Sequence, residues 1–212
     1  AASSASSLSS SAGTESAVHA ASTRSPFSDV PASAWFSAAV EKLASLSIIS
    51  GYTDADGNAL NRFGPADPVT FAEALKMTLG VSGADIPQGG VPSDSALQGH
   101  WSAAYLSYAQ TLGLSVFPNA STIDQPLTRG KLAQLLVDIL QPSSSSDGVF
   151  FTDVSASHDH AAAIRIAAAQ GWMMGDTDAD GNLLHRFRPD DSLNRAEVAQ
   201  VLVRVLPWSG RK

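Results

Sequence analysis

Thr53-Asp-Ala-Asp-Gly-Asn-Ala-Leu-Asn-Arg-Phe63 returns as Thr177-Asp-Ala-Asp-Gly-Asn-Leu-Leu-His-Arg-Phe187, 124 positions later and with nine of eleven residues identical. The match continues through Pro65/Pro189, Asp67/Asp191 and Ala72-Glu73/Ala196-Glu197, and it reaches back to Phe27-Ser-Asp-Val30 against Phe151-Thr-Asp-Val154. Internal repetition means that a small unit was copied, so the fold is read unit by unit. Repeats also provide surfaces more readily than single catalytic clefts.

Working outward, three helix–loop–helix units follow one another. Residues 27–81 form the first: a helix near 34–46 with Trp35, Phe36, Ala39, Val40, Leu43 and Leu46 on one apolar stripe, an acidic loop, and a second helix from about Thr70. Thr70-x-x-Glu73 is a capping box ahead of Ala74, Leu75, Met77 and Leu79. Residues 97–141 form the second, with helices from about His100 to Leu112 and from Leu127-Thr-Arg129 onward. Residues 150–206 form the third, with helices from about Asp159 to Gln170 and from Leu193-Asn-Arg-Ala-Glu197 onward. No run alternates with the period of a strand, so the sequence predicts an all-α fold.

The 212 residues suffice for a sizeable core. A net charge of −7 argues against a nucleic-acid partner, and no apolar run reaches the roughly 20 residues that span a bilayer. The absence of cysteine excludes disulfides, thiolate metal sites and cysteine nucleophiles. Charged residues make up only 16% of the chain, and Ala and Ser are abundant, as on an exported bacterial surface protein. The start at Ala1-Ala-Ser-Ser4 fits a chain whose signal peptide has been removed, and a trimmed chain equally. Residues 1–26 are Ala/Ser/Thr-rich and read either as an extended donor segment in a groove of a neighbouring subunit or as a segment on its own domain.

The motif set resembles the S-layer homology (SLH) domain. It rests on Phe27-Ser-Asp-Val30, Trp35, Gly51-Tyr52, Asp56-Gly57, Phe63-Gly-Pro65 and Thr70-Phe-Ala-Glu73 in the first unit. Trp101, Gly113-Leu114 and Leu127-Thr-Arg129 carry it in the second. In the third, Phe151-Thr-Asp-Val154, Gly171-Trp172, Gly175, Phe187-Arg-Pro189 and Asn194-Arg-Ala-Glu197 carry it. The resemblance implies three tandem repeats in a pseudo-threefold arrangement, with grooves that bind secondary cell-wall polysaccharide. It assigns those grooves to Asp29, Trp35, Trp101, Arg129, Asp153 and Arg195. The arginine position holds Phe71 in the first unit, the aromatic position holds Asp159 in the third, and the opening Asp has no clear equivalent in the second, so no unit has a complete set, while grooves between units could still assemble one across a seam. An Arg fork suits an anionic sugar and a Trp face suits a sugar ring. Core packing is the competing reading of Trp35 and Trp101, and a helix-start ion pair that of Arg129 and Arg195.

Asp176, Asp178 and Asp180 have the spacing of a calcium loop, although Phe187 stands where a bidentate Glu belongs; the sister loop offers only Asp54 and Asp56. Asx turns are the alternative for both. His158-Asp159-His160 sits at a helix start, where Asp is a natural cap. No phosphate-binding Gly loop, nucleophile elbow or zinc-protease motif occurs, and an enzyme is not expected. The expectation is a bacterial surface protein that assembles with copies of itself into a layer or filament, with anchoring to wall polysaccharide as the alternative.

Overall fold

A computed structural model describes residues 25–143 and 150–208. Six α-helices occur among them: α1 (Ser37–Ser45), α2 (Phe71–Ser82), α3 (Ala103–Leu112), α4 (Arg129–Leu140), α5 (Ala161–Ala169) and α6 (Arg195–Val205). Two short 3-10 turns, Ser95–Leu97 and Leu206–Trp208, complete the regular structure. Pairing of extended backbone is limited to isolated bridges among the described residues, so the chain is helical, as its periodicity predicts.

The start of each even-numbered helix is fixed locally. Thr70 accepts from the Glu73 N–H while Glu73 Oε2 accepts from the Thr70 N–H at 2.9 Å, and Asn194 and Glu197 repeat this capping box at α6. Thr128 accepts from the Lys131 N–H at α4, where Lys cannot complete the box. Helix α2 ends at Gly83, whose φ of +72° suits a residue without a β-carbon.

The segments that lead into these helices meet one another. Val69 N–H donates to Leu193 O (3.0 Å), Leu193 N–H to Leu127 O (3.1 Å) and Leu127 N–H to Val69 O (2.7 Å), which closes a ring of three. All three side chains are buried. Beyond each cap residue, the first two N–H groups of the helix run round the ring in the opposite sense. Those of Phe71 and Ala72 reach Gln125 O and Ile123 O, those of Arg129 and Gly130 reach Asp191 O and Pro189 O, and those of Arg195 and Ala196 reach Asp67 O and Pro65 O. Donors that a helix start leaves without an intrahelical partner are thus satisfied by the neighbouring segment, not by water.

Around this ring each odd-numbered helix packs on the even-numbered helix of a different pair: α1 on α6, α3 on α2, and α5 on α4. The buried side chains form one continuous core, including Leu43, Phe63, Leu75, Leu106, Leu135, Trp172 and Phe187. Fully burying each such side chain contributes on the order of 1.5–3 kcal/mol, before chain entropy is counted.

Three local expectations need correction. Trp35 and Leu46 do not share the buried stripe of α1; they are 63% and 45% exposed, because α1 begins only at Ser37 and ends at Ser45. Trp101 likewise precedes α3 and is 54% exposed, so core packing does not explain it. Asp159 does not cap α5; His160 is the N-cap residue and makes no side-chain cap bond. The extended donor segment expected at residues 1–26 lies almost wholly outside the described residues.

Candidate functional site

Arg195 is the first residue of α6, and the Asn194 cap fixes where it points. Its guanidinium crosses into the first unit, where Nε donates to Phe63 O at 2.7 Å, Nη2 to Ser50 O at 2.8 Å and Nη1 to Glu73 Oε1 at 3.2 Å. The carbon at its centre lies 4.7 Å from the Phe63 ring centroid and 5.0 Å from that of Tyr52. Burial leaves it 7% exposed, so this cation is held rigidly between two rings and a carboxylate. Two of its five N–H groups remain beyond the three named bonds.

A cleft of about 140 Å³ opens over this arginine. Its walls are Ile48–Tyr52, then Glu73, Lys76 and Met77 of α2, with Trp101 on the far side. Trp101 is presented by the turn before α3. His100 fixes that turn through Ser102 Oγ (2.7 Å) and Asp124 (3.2 Å), and Trp101 meets Tyr105 edge-on. Burial raises the Tyr52 hydroxyl pKa above its ordinary value against the lowering pull of Arg195, so Tyr52 is neutral at physiological pH. The cleft therefore offers a fixed cation, a mobile one at Lys76, a neutral phenol and an exposed indole face. An anionic carbohydrate has the complementary chemistry.

Arg129 repeats the design 66 residues earlier in sequence, at the first position of α4. Nε donates to Phe187 O at 2.7 Å and Nη2 to Met174 O at 3.1 Å, and the guanidinium lies 4.8 Å from the Phe187 centroid. Burial, followed by the nearby Arg188, lowers its pKa. The Trp35 carbonyl accepts from Gln200 Nε2 of α6 at 2.8 Å.

The two opening-motif carboxylates do other work. Asp29 accepts from the Phe63 and Gly64 N–H groups at 2.8 and 2.7 Å, and Asp153 accepts from those of Phe187 and Arg188 at the same distances. Partial burial pushes both carboxyls up, but the paired N–H groups outweigh it and hold their pKa below the ordinary value. Each clamps the end of the acidic loop; neither lines the cleft around Arg195.

Within the loops, Asp54 and Asp178 adopt matching Asx turns. Each accepts from the N–H two and four residues on, Asp56 and Asn58 or Asp180 and Asn182, and from the Asn side chain. These bonds, that of the Asn side chain first, lower both carboxyl pKa values. Asp176 instead pairs with Arg188 at 2.8 Å. Among the described residues no three carboxylate or imidazole groups converge as a metal would need. His158 pairs with Asp190 at 3.4 Å, and burial lowers the His160 pKa.

Of the six residues assigned from sequence, the structure thus brings Arg195 and Trp101 into one cleft. Tyr52, Glu73 and Lys76 join them. Tyr52 was visible as part of Gly51-Tyr52, and Glu73 only as a cap; nothing local marked Lys76.

No helix among the described residues is long and apolar enough to cross a membrane. No curated protein matches the chain. The S-layer homology domain is a binding module of cell-surface proteins that anchor to the wall through its polysaccharide. The model of that domain matches this chain twice, over residues 26–75 and 150–199.

Proposed function

We propose that the chain is a bacterial surface protein whose cleft between Trp101 and Arg195 holds secondary cell-wall polysaccharide. The observation that carries this reading is that the exposed Trp101 and a rigidly held guanidinium line one cleft. An indole with a fixed cation is a recognition pair for an acidic sugar. Within this reading residues 97–141 are a third, divergent unit, and the three units stand in a pseudo-threefold arrangement. The cyclic hydrogen bonds of Val69, Leu127 and Leu193 support that symmetry. Sedimentation with purified cell walls tests the function: the native chain pellets with the walls, and Arg195→Ala and Trp101→Ala stay in solution.

Self-assembly into a layer or filament is the second reading, alongside anchoring. Phe150 and Val91, 70% and 63% exposed and outside the cleft, favour contacts between copies. Electron microscopy of the full chain and of a chain lacking residues 1–26 tests it. Regular polymers from the first but not the second are expected. The same grids prepared with and without calcium test a cation in the acidic loops.

A further inference from the structure

The surroundings of Arg195 and Arg129 share a plan but differ at one pair of positions. Tyr52 lines the cleft at Arg195 and packs over Gly64. A β-carbon on residue 64 would sit 2.6 Å from Tyr52 Cε2, so the ring needs a glycine there. Shifted by 124 residues, the same positions hold Asp176 and Arg188. Arg188 adopts a φ of +59°, as Gly64 does at +71°, although an L side chain is strained there. Its guanidinium donates to Asp176 from Nε (3.1 Å) and Nη2 (2.8 Å), and to Asp191 from Nη1 (3.2 Å). Both members of the pair have changed together: the space of a phenol ring over a bare backbone is filled by an ion pair.

We infer that the chain has a single polymer-binding cleft, lined by Tyr52, and that the Asp176–Arg188 pair takes the matching place at Arg129 out of use. This rests on the proposed reading of the Arg195–Trp101 cleft as the polysaccharide site. The apolar face of a sugar ring packs on an aromatic plane, and at position 176 that plane is replaced by a carboxylate bound to Arg188. Arg195 is sandwiched by two rings at 5.0 and 4.7 Å, whereas Arg129 keeps only Phe187, at 4.8 Å. The remaining seam has lost its recognition groups outright, with Phe71 in the arginine position and Asp159 in the tryptophan position. A monovalent chain gains avidity only when several copies are displayed together, which ties anchoring to assembly.

Isothermal titration of the full chain with short fragments released by mild acid from purified walls of the producing bacterium tests this. One fragment per chain is expected, none after Arg195→Ala, and two after the double change Asp176→Tyr with Arg188→Gly. Trp101→Ala, which removes an exposed side chain, replaces Arg195→Ala if the latter unfolds. Two fragments on the native chain, or one surviving on a folded Arg195→Ala chain, overturns the inference and leaves wall binding intact. A folded double variant that still takes one fragment overturns the role of the pair. A native chain that binds nothing overturns the wall reading and this inference together.

Discussion

Glu73 Oε1 lies 3.2 Å from Arg195 Nη1 while Glu73 Oε2 closes the capping box of its own helix at the Thr70 N–H, 2.9 Å away. One carboxylate therefore ends a local motif and neutralises a cation from the other end of the chain. The two roles separate by substitution. Glu73→Gln keeps a capping side chain and loses the charge, whereas Glu73→Ala loses both. Both leave the buried Arg195 with an unmatched charge, and we predict a cost of about 1 kcal/mol for Glu73→Gln and about 2–3 kcal/mol for Glu73→Ala, which also loses the cap. Urea unfolding of the two variants and the native chain separates the roles; a Glu73→Gln chain as stable as the native one would show that the ion pair adds nothing, and equal costs for the two variants that the cap adds nothing.

Asp29 and Asp153 set the acid limit of the fold. Both folded pKa values are depressed below the ordinary carboxylate value, so their stabilisation is complete above the unfolded pKa of about 4 and is lost as the pH falls through the folded values. Burial depresses the His160 pKa as well, so its contribution begins to fade already as the pH drops below about 6.5. The melting temperature should decline gently from pH 7 to 5 and steeply below 4. Asp29→Ala should flatten the lower part and cost roughly 2 kcal/mol at pH 7, since two charge-assisted bonds are lost. A lower limb equally steep in Asp29→Ala would remove Asp29 from the account.

The ring of Val69, Leu127 and Leu193 is made of main-chain bonds and is best tested by removing a donor. Leu193→Pro deletes the N–H that reaches Leu127 O and truncates a buried side chain. A loss of at least about 3 kcal/mol is expected. Leu193→Ala removes the side chain but keeps the bond, and should cost less than the proline. Denaturation midpoints that rank the other way would contradict the ring's importance.

Gly51 and Gly175 occupy matching tight places. A β-carbon would meet Arg62 O and the Phe27 ring at 2.6 and 2.7 Å in the first case, and Arg186 O and the Phe151 ring at 2.7 Å in the second. Alanine at either position should destabilise by about 1–3 kcal/mol. Thermal unfolding measures this, and Gly51→Ala should also sediment less with walls, because Gly51 lines the same cleft as Trp101; native melting and native binding would contradict this packing.

Much of the fold was legible because its signals are local. The Thr70–Glu73 and Asn194–Glu197 boxes, the Asx turns at Asp54 and Asp178, and the helix stripes each lie within a few residues. The stripe misleads at Trp35, which keeps helical spacing but lies two residues before α1 begins and is exposed. The site was less legible because its partners are distant. Arg195 bonds to residues 122–145 positions away, and nothing near it in sequence announces Ser50, Phe63 or Trp101. Asp29 and Asp153, which the resemblance assigns to the grooves, accept from backbone N–H groups 34 and 35 residues away, which no local pattern announces.

The most direct test of the wall-binding claim is sedimentation of the Trp101→Ala chain with purified walls, read beside its melting curve. Trp101 is 54% exposed, so its removal should leave stability within about 1 kcal/mol. Wall affinity should fall by about tenfold or more, as expected for an aromatic recognition residue. Native-like sedimentation by a folded Trp101→Ala chain would contradict the account.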